Sequence, residues 1–442
     1  MIKKSLSVLA LTLALTLMIG GTADAVTVEK VTSKSGVTAW LVRDHSNPII
    51  SMRFAFRGGA ALDPKGKGGL ANMVASSLDE GAGDIDSKAF QAKLEDLVIT
   101  LRFNAGRDTF SGQLNTLVTN KDTAFDLLRL ALTKPRFDAE PVQRIRSQIQ
   151  AGLRQETEDP GAIARKTLMQ TLFPGHAYAR PANGTPESVA AITRNDLSAF
   201  TTRRLARNNL VIGVVGDIKK DDLARLLDTV FGGLPATAVA WEVPDVKPQS
   251  AGSIKIIEKA IPQSVIVFAQ KGLKRKDPEF YAAYVMNHVL GGGGFTSRLY
   301  SNIREKRGLV YSVYSGLHPM NHAGLIVGGA GTANERVGET IRVLKREWSK
   351  MAKDGMTAAE LKDAKTYLTG SYPLRFTSSG SIASMLVGIQ LDNLGIDYMD
   401  RRNGLIEQVT LADVNRVAAK YLKQDRLSFV IVGKPNGVKA TP

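Results

Sequence analysis

With no cysteine in the chain, a zinc site here would be built from histidine and carboxylate. The same absence excludes disulfides, thiolate nucleophiles and thiolate zinc sites. There are five histidines. His318 and His322, in "HPMNH", stand at i and i+4, a spacing that suits two ligands on one helix face. Pro319 between them breaks a regular helix, and no Glu lies in that window, so the pair reads as a loop feature. His45, His176 and His288 are isolated, and His288 reads as a partly buried helix residue. The run Gly291, Gly292, Gly293, Gly294 opens "GGGGFTSRL". A nucleotide-binding loop needs Gly-Lys-Ser/Thr after its glycines, and this one lacks the lysine. The glycines instead predict a sharp bend after a helix over 279–290. "GGLANMVASSLDEGAG", residues 68–83, has apolar residues at helical spacing. Its potential ligand positions carry Asn72, Ala75 and Ser76, none of them a metal-binding type.

These residues sit in a chain of ordinary globular composition, 43% hydrophobic and 23% charged. The 442 residues suffice for two or more domains. "MIKKSLSVLALTLALTLMIGGTADA" runs from basic to apolar to small-x-small, the order of a Sec signal peptide cleaved after Ala25. Its apolar run is short of the roughly 20 residues a membrane span needs, and no later stretch predicts a transmembrane segment. The expected localisation is periplasmic. The net charge is +16, concentrated in "RIRSQIQAGLRQ" and "KGLKRKDPE". These read as solvated faces, and no nucleic-acid motif accompanies them. Attraction to acidic peptides or an anionic surface stays open.

The chain echoes itself. "DLSAFTTRRLARNNLVIGVVGD" from Asp196 and "DVNRVAAKYLKQDRLSFVIVGK" from Asp413 each predict an amphipathic helix, a polar turn and an apolar strand ending in Val-Gly. "ISMRFAFRGGAALDPKGKGGLANMV" and "SVIVFAQKGLKRKDPEFYAAYVMNHVL" each predict a strand, an Asp-Pro loop and a helix. A repeat this long indicates duplication of a domain, not a solenoid. "PATAVAWEVPDVKPQSAGS" lacks helical periodicity and reads as a linker. The expected organisation is a signal peptide over 1–25, a domain over 26–234, a linker over 235–253 and a second domain over 254–442. Strands and helices alternate without a uniform βαβ rhythm, which predicts an α+β fold. Further helices are expected over 123–133, 141–156 and 359–372.

Three segments carry a resemblance that spans essentially the whole mature chain. "FRGGAALDPKGKGGLANMVASSLDEGAG" resembles the strand, loop and metal helix of the M16 metallopeptidases, the family of pitrilysin, insulinase and mitochondrial processing peptidase. "RSQIQAGLRQETEDPGAIA" is similar to their later helix, which supplies another ligand. "GGGGFTSRLYSNIREKRGLVYSVYSG" is similar to their most recognisable C-terminal segment. The resemblance implies two homologous domains, each a mainly antiparallel sheet packed with helices. In active members the first helix reads H-x-x-E-H: two histidines reach one Zn²⁺ and the Glu acts as base toward its water. Here those positions fall on Asn72, Ala75 and Ser76. The later acidic pair falls on Ala151 and Gly152. Every ligand and the base are replaced, so the resemblance implies no metal on this chain.

The C-terminal segment implies the opposite. Active members hold the substrate backbone with an Arg and a Tyr from the second half of the clam-shell, and "IREKRGLVY" matches with Arg304 and Tyr311. On residue type alone, Arg304 also suits a surface helix position beside Glu305, and Tyr311 the start of a strand. Within this segment they are expected to face substrate, where both donate hydrogen bonds to carbonyl oxygens. The resemblance adds a possible peptide-contacting loop at Gly291–Gly294, shorter here than in the non-catalytic subunit of the mitochondrial enzyme. The implied function is a non-catalytic, substrate-binding subunit of a heterodimeric zinc peptidase. Its partner would be an M16 chain with intact H-x-x-E-H, carrying the zinc, and its substrates unfolded or short peptides. A scaffold or peptide-binding protein of the same fold is the alternative, and an autonomous zinc peptidase the remotest. Homodimerisation of the isolated chain stays open.

Overall fold

The computed structural model describes residues 27–441. The signal peptide expected over 1–25 lies outside the described residues. Two mixed sheets organise the chain. The first, in order β1-β2-β6-β3-β5-β4, comprises Glu29–Thr32, Thr38–Arg43, Leu210–Gly216, Ile49–Arg57, Thr109–Leu117 and Thr100–Ala105. The second, in order β7-β11-β8-β10-β9, comprises Ile254–Glu258, Ser428–Gly433, Gln263–Lys271, Gly324–Ala333 and Ser312–Pro319. Each sheet has one parallel pairing, β2 with β6 and β7 with β11, and is otherwise antiparallel. The fold is α+β, as expected.

The duplication is visible in the topology. β3, β5, β4 and β6 of the first sheet occupy the places of β8, β10, β9 and β11 in the second. Residues 235–253 contain no helix or strand. They are nevertheless fixed: the Val246 N–H donates to the His322 carbonyl at 2.9 Å and the Gln249 N–H to Leu172 at 2.8 Å.

One face of each sheet packs on helices of its own half. The first core gathers Phe54, Phe56, Phe110, Phe125 and Phe231, and the second Phe268, Trp348 and Phe429. The other face is covered from across the molecule. The helix Pro160–Leu172 lies on β8 and β11, while Ser379–Leu391 lies on β3 and β6. Each half therefore needs a helix from the other to complete its burial. The sequence of the second helix, "SGSIASMLVGIQL", is apolar nearly all round, as a helix buried on more than one side must be. Arg57 of β3 donates to the terminal carbonyls of Leu391 and Gln390 at 2.6 and 2.8 Å. A cation at that helix end complements its dipole and fixes the two halves together.

Candidate functional site

Asp63 sets the start of the would-be metal helix. Its buried carboxylate accepts from the Gly69 N–H at 2.8 Å and the Ala71 N–H at 3.0 Å. Gly69 stands at φ +89°, which brings the chain round into the helix. The helix spans only Leu70–Ala75, shorter than the 68–83 reading. Ser77 Oγ donates back to the Met73 carbonyl at 2.7 Å, and Gly81 and Gly83 take positive φ. Small residues and side-chain back-bonding end the helix where spacing alone extends it. Leu70, Ala71, Met73, Val74 and Ala75 are buried. Asn72 and Ser76 are half-buried one turn apart, and Ala151 and Gly152 lie on the exposed side of the helix Ala139–Glu156. The base position, Ala75, is a methyl group in the core, 3% exposed. No group of three metal-binding side chains occurs among the described residues.

Burial pushes the Asp63 carboxyl up to about 7, against the opposing pull of its backbone donors and of Arg180. A raised folded-state value means that the native protein keeps a proton the unfolded chain has already lost. Stability is therefore expected to fall as pH rises from about 4 to about 7 and then to level off. Urea midpoints at pH 5 and 7.5 measure this slope, and Asp63→Asn should reduce it, the remainder belonging to Asp79, whose carboxyl burial lifts to about 6. An equal slope in the variant would assign the effect to another group.

The second half uses the equivalent region differently. The helix Phe280–Asn287 continues as a π-helical turn, His288–Gly292, in place of the regular helix read over 279–290. A Cβ on Gly291 would stand 2.3 Å from Ser315 Oγ and 2.7 Å from its backbone N. Only glycine lets this turn press against β9. Asn287 completes the contact, donating to the Ser315 carbonyl at 3.1 Å and accepting from Ser315 Oγ at 2.8 Å. Gly291 is thus buried packing, whereas Gly292 and Gly294 are at the surface and Gly294 stands at φ +58°. His288 stacks on Tyr367 at 5.1 Å, and burial holds its imidazole below the ordinary range.

A second turn, Tyr300–Glu305, carries Arg304. It is clamped by Arg298, which donates to both oxygens of Glu360 at 2.7 Å, and by Asn302, which donates to Glu347 at 3.0 Å. Arg298 and further hydrogen bonds hold the Glu360 carboxyl down to about 2. Arg304 itself forms no ion pair with Glu305; its guanidinium donates to the Tyr300 hydroxyl. It lies 4.8 Å from the Tyr300 ring and 5.7 Å from that of Tyr311. Tyr311 is 80% exposed and Phe295, edge-on to Tyr300 at 4.9 Å, is 73% exposed. The structure therefore brings Arg304 and Tyr311 together as one exposed unit. Sequence reasoning missed Tyr300, Phe295 and the exposed Tyr314 of β9. Tyr300 and Arg304 at i and i+4 were the available signal.

The basic stretches are mostly committed. Arg144 pairs with Glu80 at 2.6 Å, Lys274 with Asp245 at 2.5 Å, and Arg275 lies 4.2 Å from the Phe280 ring. His322 faces Asp245 at 3.4 Å. His318 ends β9, not a free loop. No helix among the described residues is long and apolar enough to cross a membrane.

Two halves of one α+β design, each completed by a helix from the other, define a duplicated fold of the peptidase type. The chain belongs to the M16 peptidase family. Residues 191–368 match the family model described as the peptidase M16 inactive domain. A solved M16 inactive-domain structure from Pseudomonas fluorescens superposes with a TM-score of 0.86 at 30% identity, covering 94% of this chain and 99% of that one. The chain is 29% identical to the non-peptidase homolog YmxG of Helicobacter pylori, over 96% of this chain and 97% of that protein. A protease structure from Helicobacter pylori shares the fold, with a TM-score of 0.83 at 18% identity over 92% of this chain and 100% of that one.

Proposed function

We propose that this chain is the substrate-binding subunit of a two-chain M16 zinc peptidase. It is exported to the periplasm and cleaved after Ala25. Its partner carries H-x-x-E-H and the zinc, and the two chains close around an unfolded or short peptide. One observation carries the reading: Arg304, half-buried against Tyr300, and the 80% exposed Tyr311 are held together at the surface. A half-buried clamp, Arg298–Glu360, holds the turn that presents them. Two donors so placed hydrogen-bond a peptide carbonyl and stabilise negative charge developing on it. The inactive-domain match and the non-peptidase relative support a subunit without its own metal.

The test is reconstitution. The purified chain is mixed with an exported M16 chain from the same host that has an intact H-x-x-E-H, and cleavage of a quenched fluorescent peptide is followed. Neither chain alone is expected to turn over at more than a few per cent of the mixture, and native co-purification should recover both. A partner fully active alone, and unchanged on mixing, would leave the scaffold reading in its place.

A further inference from the structure

The two faces of the second sheet have different neighbours. Side chains alternate across it, so Phe268, Ile326 and Phe429 face their own helices while Val267, Val327 and Val430 face the helix Pro160–Leu172. That helix crosses β8 and β11. Beyond it, β9 and β10 place Tyr314, Gly316 and His318 opposite Gly329, Val327 and Leu325. A Cβ on Gly316 or Gly331 would meet nothing within 4 Å. Around Tyr314, Gly316 and Gly331 this edge of the sheet is uncovered and forms a shelf.

Where the shelf meets the helix there is a cavity of about 320 Å³, large enough for a side chain or a short peptide end. Its floor is apolar, with Leu168, Met169 and Val267; its wall is cationic, with Arg107, Arg165, Lys166 and Arg180. Arg180 is committed to the Ala61 and Asp63 carbonyls at 2.8 and 2.7 Å. Arg107 is not committed. Its Nε is shielded from water with no hydrogen-bond acceptor, and its guanidinium lies 5.7 Å from the Tyr178 ring. The neighbouring Asp108 is engaged elsewhere, accepting from the Tyr178 hydroxyl at 2.8 and 2.9 Å and from the Asn321 N–H at 3.2 Å. Among the described residues, none of Arg107, Arg165 and Lys166 forms an ion pair. A sheltered guanidinium N–H without an acceptor is unfavourable even with the Asp108 charge nearby, and a carboxylate is the group that best relieves it.

We propose that this cavity is a subsite for a carboxylate on an extended, partly apolar peptide, gripped by Arg107 with Arg165 and Lys166 while the chain lies across Gly316. The inference rests on the peptide-binding reading above and names the peptides that subunit prefers. Tyr314 at the shelf is three residues along the strand from Tyr311, about 10 Å. That odd spacing puts the two side chains on opposite faces of the strand, so a peptide held at Arg304 and Tyr311 reaches the cavity by passing round the edge strand β9. The carboxylate has two possible sources, a peptide C-terminus or an acidic side chain.

The test uses the isolated chain without its leader and fluorescence anisotropy with three labelled peptides of one apolar-polar sequence. One ends in a free acid, one in an amide, and one in an amide with a Glu near its end. The free acid or the Glu peptide is expected to bind about 10-fold tighter than the plain amide, the gain of a charge-assisted pair. Whichever does so identifies the source. Arg107→Gln should abolish the preference, and Gly316→Val, whose side chain has room in the free protein, should block the shelf without lowering the melting temperature. Arg304→Ala should keep the preference. Peptides that bind without preference, or a preference that survives Arg107→Gln, overturn the subsite and leave the subunit reading standing. No binding of any peptide, with no stimulation of a partner, overturns both.

Discussion

Arg304→Ala in the reconstituted two-chain peptidase is expected to lower kcat/KM by roughly 10²-fold, the range for removing one donor that stabilises transition-state charge. Tyr311→Phe removes only a hydroxyl and should cost about 10-fold or more. The loss should fall mainly on kcat if these donors strengthen as charge develops on the carbonyl, and on KM if they only hold the ground state. Thermal unfolding of the isolated chain separates activity from stability. Tyr311 is 80% exposed, so its variant should melt with the wild type. Arg304 contributes stacking against two tyrosine rings, so Arg304→Ala should show at most a small shift. Wild-type kinetics in both variants would remove the pair from the reaction.

Gly291→Ala is expected to lower stability by about 2 kcal/mol. The new methyl meets Ser315 Oγ at 2.3 Å, its backbone N at 2.7 Å and Leu299 at 2.8 Å. A strand backbone cannot swing aside as a flexible side chain can, so the turn and β9 must separate. That movement breaks the buried Asn287–Ser315 pair and shifts the start of the strand that follows Tyr311. The small gain from restricting the unfolded chain offsets only part of this loss. Urea unfolding measures it, and the reconstituted peptidase should lose activity in parallel. A shift below about 0.5 kcal/mol would show that the glycine turn is loosely packed. Gly294→Ala has open space around it but stands at φ +58°, so it is expected to cost about 1 kcal/mol of backbone strain without any clash.

Much of this molecule was legible in its sequence, and the misses share a cause. Helical periodicity found the helices at 121–133, 139–156 and 358–370 nearly to their ends, because one apolar face against one core leaves a 3.6-residue signature. It overran at residues 68–83, where Ser77, Gly81 and Gly83 end the helix through local bonds that the apolar pattern does not record. It also missed the π-helical turn at His288–Gly292, which is imposed by close contact with β9.

The absence of zinc-binding residue types at the positions the family resemblance points to is read from the sequence itself. A zinc site needs particular side chains, and no tertiary arrangement turns Asn72, Ala75, Ser76 and Gly152 into that set. The family followed from the sequence for a related reason: its motifs are local runs of residue types. What the tertiary structure decided is partnership. Periodicity shows that a face will be buried but not by what, so the helices at 160–172 and 379–391 gave no sign that each completes the opposite half's sheet. In the same way, Tyr300 and Tyr311 come to flank Arg304, and Arg107 comes to a cavity bordered by Tyr314. Tyr300 is a neighbour by helical spacing, but Arg107 and Tyr314 are distant in sequence, and only the folded backbone brings them to one cavity.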